Sequence, residues 1–264
     1  MFDFKVWLRS FAAAWELLLD FPLPSFGKRR RASAPPPPFA VLCFFPVIGA
    51  LAGVLAAFLG GFVAGVSNRI AGALLFGALA LAFSELKDSG RGTSMLCTWF
   101  LARLRGQTLG AVLPHLRANR DVYADPTAQM ALVVLLVVRY LLFFLLGGWG
   151  GRFWFAGVLI ASFALQGDLA ACGGTGGAPP LLAVTPEQRR YHWILAAVLL
   201  AALMVPFFPL AAVATGAITW ILAGAYARMM ERECGGMDPD AITMAGTLTE
   251  WLALVIGILW AIRL

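Results

Sequence analysis

Long apolar runs constrain this chain more than any other feature. A helix needs about 20 largely apolar residues to cross the hydrocarbon of a bilayer. Stretches 40–66, 70–83, 129–148, 153–167, 192–206, 209–227 and 244–262 have that character, several of them short or joined by tight Gly/Pro turns. Membrane β-strands would alternate polar and apolar side chains over about 10 residues, and these runs do not alternate. With 61% of the 264 residues hydrophobic and 13% charged, there is too little polar surface for a soluble enzyme. The sequence predicts an all-α, polytopic integral membrane helical bundle of about seven transmembrane helices, with the lipid bilayer as its first partner. Disorder, a small disulfide-stapled fold and a DNA-binding domain with one basic face are excluded, so no nucleic-acid partner is expected.

Cys43, Cys97, Cys172 and Cys234 lie far apart without C-x-x-C spacing, which argues against a zinc site or a redox pair. Asp3 and Glu16 interrupt the N-terminal apolar stretch, and no small-residue cleavage site precedes Pro22, so no cleavable signal is expected. Over residues 2–20, Phe4, Trp7, Phe11, Trp15 and Leu18 share one helical face opposite Lys5, Arg9, Glu16 and Asp20, the pattern of a helix lying in the membrane interface. Lys28 to Arg31 and Pro35 to Pro38 then form a basic, non-helical loop suited to anionic headgroups. Residues 1–38 thus read as an interfacial unit and 39–264 as the transmembrane bundle.

Charge placement orients the bundle. If Lys28 to Arg31 are cytoplasmic, so are segments 84–128, 168–191 and 228–243; of the 20 Lys and Arg, only Arg69, Arg152 and Arg263 fall on the far side, with Arg139 inside a span. This matches the positive-inside rule and predicts a bacterial cytoplasmic (inner) membrane protein with its active face towards the cytoplasm. Nearly all acids outside the N-terminal helix also gather at that face. A membrane-surface enzyme fits this better than a channel, whose polar groups would line a path through the bilayer.

Two segments carry the chemistry. In Ser84 to Gly92, Glu85 and Asp88 share a helix face beside small residues, leaving room for hydrated Mg²⁺ and a phosphate; the plainer reading is a polar helix end with a glycine stop. In Gly235 to Glu250, the residues Asp240, Thr243, Thr247 and Glu250 fall within about 80° of one another at 100° per residue. Glu250 then runs straight into an apolar stretch and needs a partner, a metal or a proton; a structural ion pair with Arg139 is the plainer reading. Arg120, Asp121 and Asp125 read locally as a solvated loop. Gly173 to Gly177 could form a phosphate nest but lacks the Lys-Ser/Thr of a P-loop. His115 and His192 are isolated, and no Ser/His/Asp set is visible. Cation-dependent phosphoryl transfer therefore fits better than nucleophilic hydrolysis.

The order of segments resembles the cobalamin-5'-phosphate synthase family, adenosylcobinamide-GDP ribazoletransferases of cobalamin biosynthesis, and reads as a divergent member. Phe21 to Pro24 and Phe45 to Gly53 are similar to the family's R-L-P-[VL]-P and F-P-L-V-G-x-x-x-G opening. Ala82 to Gly92 lies over H-L-D-G-L-A-D-T-x-D-G without a gap, with Asp88 on the middle aspartate. Arg120-Asp121 matches a [KR]-D pair, and Arg139 falls on a later basic residue. Gly235 to Glu250 follows G-G-x-T-G-D-x-x-G-A-x-x-E-x-x-E, keeping Gly235, Gly236, Asp240 and Glu250. Ser84, Arg91 and Thr247 stand where the family has acids, Val122-Tyr123 replaces S-R, and extra residues separate Gly92 from Asp121.

The resemblance implies a Mg²⁺-dependent transferase joining α-ribazole or its phosphate to the corrinoid nucleotide adenosylcobinamide-GDP with loss of GMP. It places Asp88, Asp121, Asp240 and Glu250 in catalysis and the metal on Asp88, Asp121 and Asp240, with Glu85, which stands on a family glycine, partly restoring the carboxylate count as a further metal ligand. Arg120, Arg139, Gly235, Gly236, Thr243 and Thr247 would bind substrate. A diverged transferase for another nucleotide-activated alcohol, a catalytically impaired assembly partner and a small transporter are the other readings. Gly/Ala-rich spans permit close helix approach, in a homo-oligomer or within one chain.

Overall fold

The structure, a computed structural model, describes residues 4–19, 35–108, 110–111, 126–174 and 177–262. Among these the chain is helical, with no strand: α1 (Phe4–Leu18), α2 (Pro38–Val66), α3 (Arg69–Leu86), α4 (Arg91–Leu104), α5 (Pro126–Gly148), α6 (Trp154–Ala170), α7 (Pro186–Met204), α8 (Pro209–Cys234) and α9 (Pro239–Ala261). Proline in the first turn starts α2, α7, α8 and α9. It fits there because that amide has no intrahelical acceptor and the ring fixes a helical φ. Asn68 caps α3 by accepting from the Ala71 amide, and Thr185 with Gln188 forms a capping box on α7.

Each apolar stretch of the sequence falls on one helix, although α7 and α9 begin six and five residues earlier than expected and α8 runs seven residues further. Five helices, α2, α3, α5, α8 and α9, are long and apolar enough to cross a membrane. The other two differ for separate reasons. α7 carries Glu187, Arg189 and Arg190 in its first two turns. α6 has 17 residues, a length of about 26 Å, and every one of them is buried.

α6 is the hub of the bundle, packing against α2, α7, α8 and α9. Small residues bring α2 close to it: a Cβ on Gly49 would lie 2.6 Å from the Leu159 carbonyl oxygen, and one on Gly53 would overlap Ala156. Two apolar clusters fill the bundle, one around Phe45, Phe163 and Met230, the other around Phe76, Phe143 and Trp154. α1 joins the first through Ala14 and Leu18, and Trp7 meets Phe44 edge-on at 4.5 Å. Part of the face read as membrane-facing thus packs on α2, while Phe4 and Leu8 remain exposed.

α4 lies within the stretch read as a cytoplasmic loop. Its low apolarity hid it, yet Met95, Leu96, Cys97 and Ala102 are buried, and it packs against α9 and α5.

Candidate functional site

α3 ends in a tight reversal. Ser89 has φ 55° and Gly90 φ 72°; the left-handed conformation is costly for serine and free for glycine. The turn sets the end of α3 beside the first residues of α4. Gly92 then makes a close approach that no other residue could make, since a Cβ there would overlap Thr247 Oγ1 and sit 2.8 Å from Asp88 Oδ2. The two motifs that stand far apart in sequence, 84–92 and 235–250, are thereby brought into contact.

Around this contact lies a buried ion network. Arg139, halfway along α5 and fully buried, donates from Nη1 to Glu85 Oε1 at 2.7 Å and from Nη2 to Glu250 Oε2. Lys87 Nζ lies 3.0 Å from Glu250 Oε1 and 3.1 Å from Asp88 Oδ2. Thr93 Oγ1 donates to Glu85 Oε1 at 2.7 Å, and Ser162 Oγ on α6 is 3.0 Å from Glu250 Oε1. Lys87, Arg139 and Glu250 are each at most 1% exposed. Ionised, three carboxylates face two cations, a net charge of −1.

One acceptor stands out. Asp88 Oδ1 is buried with no hydrogen-bond partner among the described residues, as is the neighbouring Ser84 Oγ. Burial pushes the Asp88 carboxyl above the ordinary aspartate range, although Lys87 pulls against this. Lys87 itself is desolvated by burial, but the Glu250 and Asp88 carboxylates outweigh that and hold it charged. An uncompensated charge at this depth would cost several kcal/mol; two cations answer two of the three carboxylates, and the raised Asp88 carboxyl is the third.

The other residues singled out by sequence divide clearly. Asp240 sits at the rim, 3.7 Å from Arg91. Thr247 is buried against Gly92, whereas Thr243 donates to the Pro239 carbonyl of its own helix. Gly235 and Gly236 have φ 69° and 141° and terminate α8, their amides bonding Glu231 and Met230 carbonyls; their role is to turn the chain. Arg120, Asp121, Asp125 and His115 lie outside the described residues. His192 is buried and donates from Nε2 to the Ala164 carbonyl at 2.9 Å, so it is a packing residue. Lys87, Thr93 and Ser162 are members of the network that sequence reasoning missed. The only local signal for Lys87 is its position between Glu85 and Asp88, which reads as a solvated helix end.

Asp121, one of the four residues expected to hold Mg²⁺, lies outside the described residues, and Asp240 faces Arg91 at the rim. Every carboxylate of the network already faces Lys87 or Arg139, and no three His, Cys, Asp or Glu among the described residues are grouped to hold a metal. No known protein family, curated protein or solved structure matches the chain.

Proposed function

We propose that the chain is a membrane-embedded transferase for a nucleotide-activated alcohol, of the type that joins α-ribazole to adenosylcobinamide-GDP with release of GMP, with its polar site towards the cytoplasm of a bacterial inner membrane and about seven crossings. The observation that carries this reading is Asp88 Oδ1, without a hydrogen-bond partner among the described residues and held where α3, α4, α5 and α9 converge. An attacking hydroxyl reaching that oxygen would give its proton to Asp88 as its own oxygen forms the new bond to phosphorus. The P–O bond to the GMP leaving group breaks in the same displacement. Lys87 and Arg139 place positive charge beside the pyrophosphate, a task the family gives to acids with Mg²⁺. Asp240 and Arg91, partly open at the rim, are positioned to meet the polar part of the substrate first.

The test is GMP release from adenosylcobinamide-GDP by purified chain with α-ribazole, in Mg²⁺ and in chelator. Asp88→Asn should lower kcat by at least about 100-fold, the scale of a lost general base, with KM little changed. Near-parental kcat in that variant refutes the assignment. Absence of GMP release from the parent protein moves the reading to a different activated alcohol or a non-catalytic relative.

A transporter reading has one observation in its favour: α3 stops at a four-residue turn beside charges that lie halfway along α5 and α9, as broken helices do around transported ions. Solute flux across sealed proteoliposomes, abolished by Glu250→Gln, would favour it over the transferase.

A further inference from the structure

Away from the ion network, α7 and α8 splay apart at the end of the bundle where α7 begins and α8 ends. A cavity of about 560 Å³ opens there, walled by Asp168, Arg189, Arg190, Arg228, Trp193 and Trp220. Its charges are unequal. Arg189 is committed to Asp168 by two hydrogen bonds of 2.9 and 2.8 Å. Arg190 and Arg228 have no hydrogen-bond or ion-pair partner among the described residues, and both are exposed. The pocket therefore holds two uncommitted positive charges.

Trp193 and Trp220 also wall a second cavity of about 210 Å³, which continues along α7 and α8 between Ala197, Leu200 and Gly216. That part is apolar throughout, apart from Thr219. Trp220 is 65% exposed and Ile221 60%, so the cleft opens sideways on the apolar flank of the bundle. From Arg228 to Gly216 the cleft follows α8 for about 18 Å. Basic residues at one end, an aromatic pair at the junction and an apolar track beyond are the complement of an amphiphile with an anionic head.

We propose that this cleft is a binding site for an anionic phospholipid, its phosphate between Arg190 and Arg228 and one acyl chain lying over Trp193 and Trp220 into the groove lined by Ala197 and Gly216. The site is separate from the ion network and does not depend on the transferase reading. A free phosphate would use the arginines and leave the groove empty; a lipid uses both.

The test is native mass spectrometry of the full chain in neutral detergent, titrated with phosphatidylglycerol or phosphatidylcholine. Phosphatidylglycerol should bind in preference. The combined variant Arg190→Ala with Arg228→Ala should weaken it about tenfold, the scale of roughly 1.4 kcal/mol, and Arg190→Lys with Arg228→Lys should restore it. Ala197→Phe, which fills the groove without touching the arginines, should weaken it as well. Thermal unfolding of each variant in the same detergent reports folding independently, and the lysine pair and Ala197→Phe carry the test if the alanine pair does not fold. Equal binding of phosphatidylcholine overturns the proposal, as does full retention of phosphatidylglycerol in the alanine pair. So does displacement by inorganic phosphate with no effect of Ala197→Phe, which would leave a phosphate site alone.

Discussion

Arginine serves opposite purposes in two regions of this bundle. In the ion network Arg139 is sealed from solvent, bonded to Glu85 and Glu250, and surrounded by carboxylates. In the cleft between α7 and α8, Arg190 and Arg228 stand exposed without partners among the described residues, in a cavity that two tryptophans also wall. Burial makes the difference. A charge taken out of water must bring its counter-charge with it, so Arg139 and Lys87 are each held against two carboxylates. A charge left in water can stay uncommitted until an anion arrives.

The contrast is broken most sharply by removing one member of the buried set. Arg139→Ala leaves Glu250 with Lys87 alone and should cost about 3–5 kcal/mol, seen as lost folded protein in detergent thermal unfolding. Replacing both partners, Arg139→Met with Glu250→Leu, should recover much of that loss while abolishing any activity. Next in size is Gly92→Ala, whose methyl overlaps Thr247 Oγ1. It should cost about 1–3 kcal/mol, and Thr247→Ala in the same chain should return part of it. In the cleft, deleting an uncommitted charge is mild: Arg228→Ala removes an exposed side chain with no hydrogen bond or ion pair among the described residues and should shift stability by at most about 0.5 kcal/mol.

The smallest effect is a pH dependence. Asp88 has its carboxyl raised by burial against the pull of Lys87. Its favourable contribution is therefore present below the ordinary aspartate value and lost as pH rises through the raised one. Between acid and neutral pH, Asp88→Asn should lose less stability than the parent chain, measured as the difference in unfolding midpoint across a pH series.

The helices were legible in the sequence because apolar length is a local signal; their polar first turns were not, and α7 and α9 begin at Pro186 and Pro239, six and five residues before the apolar stretches at 192 and 244. α4 was not, because its buried face of Met95, Leu96 and Thr98 is interrupted by polar neighbours and has no hydropathy peak. The pairing of Arg139 with Glu250 was visible as one of two readings, since each is an isolated charge within an apolar run. Lys87 was not, because its partner Glu250 lies 163 positions further along and sequence shows only its solvated-looking neighbours. The cleft was equally hidden: Arg190 and Arg228 belong to different helices, and only the way α7 meets α8 brings them to one opening.

The complete enclosure of α6 bears on how the molecule is made. Ribosomes deliver this helix after α2 to α5 but before α7, α8 and α9, three of the four neighbours that wrap it. Until those arrive, Ser162, Gln166 and Asp168 have hydrocarbon or lipid headgroups where protein will later stand. Chains stopped after Ala170 should accordingly be poor at staying inserted and prone to quality-control proteolysis, and adding back the last three helices as a separate polypeptide should protect them.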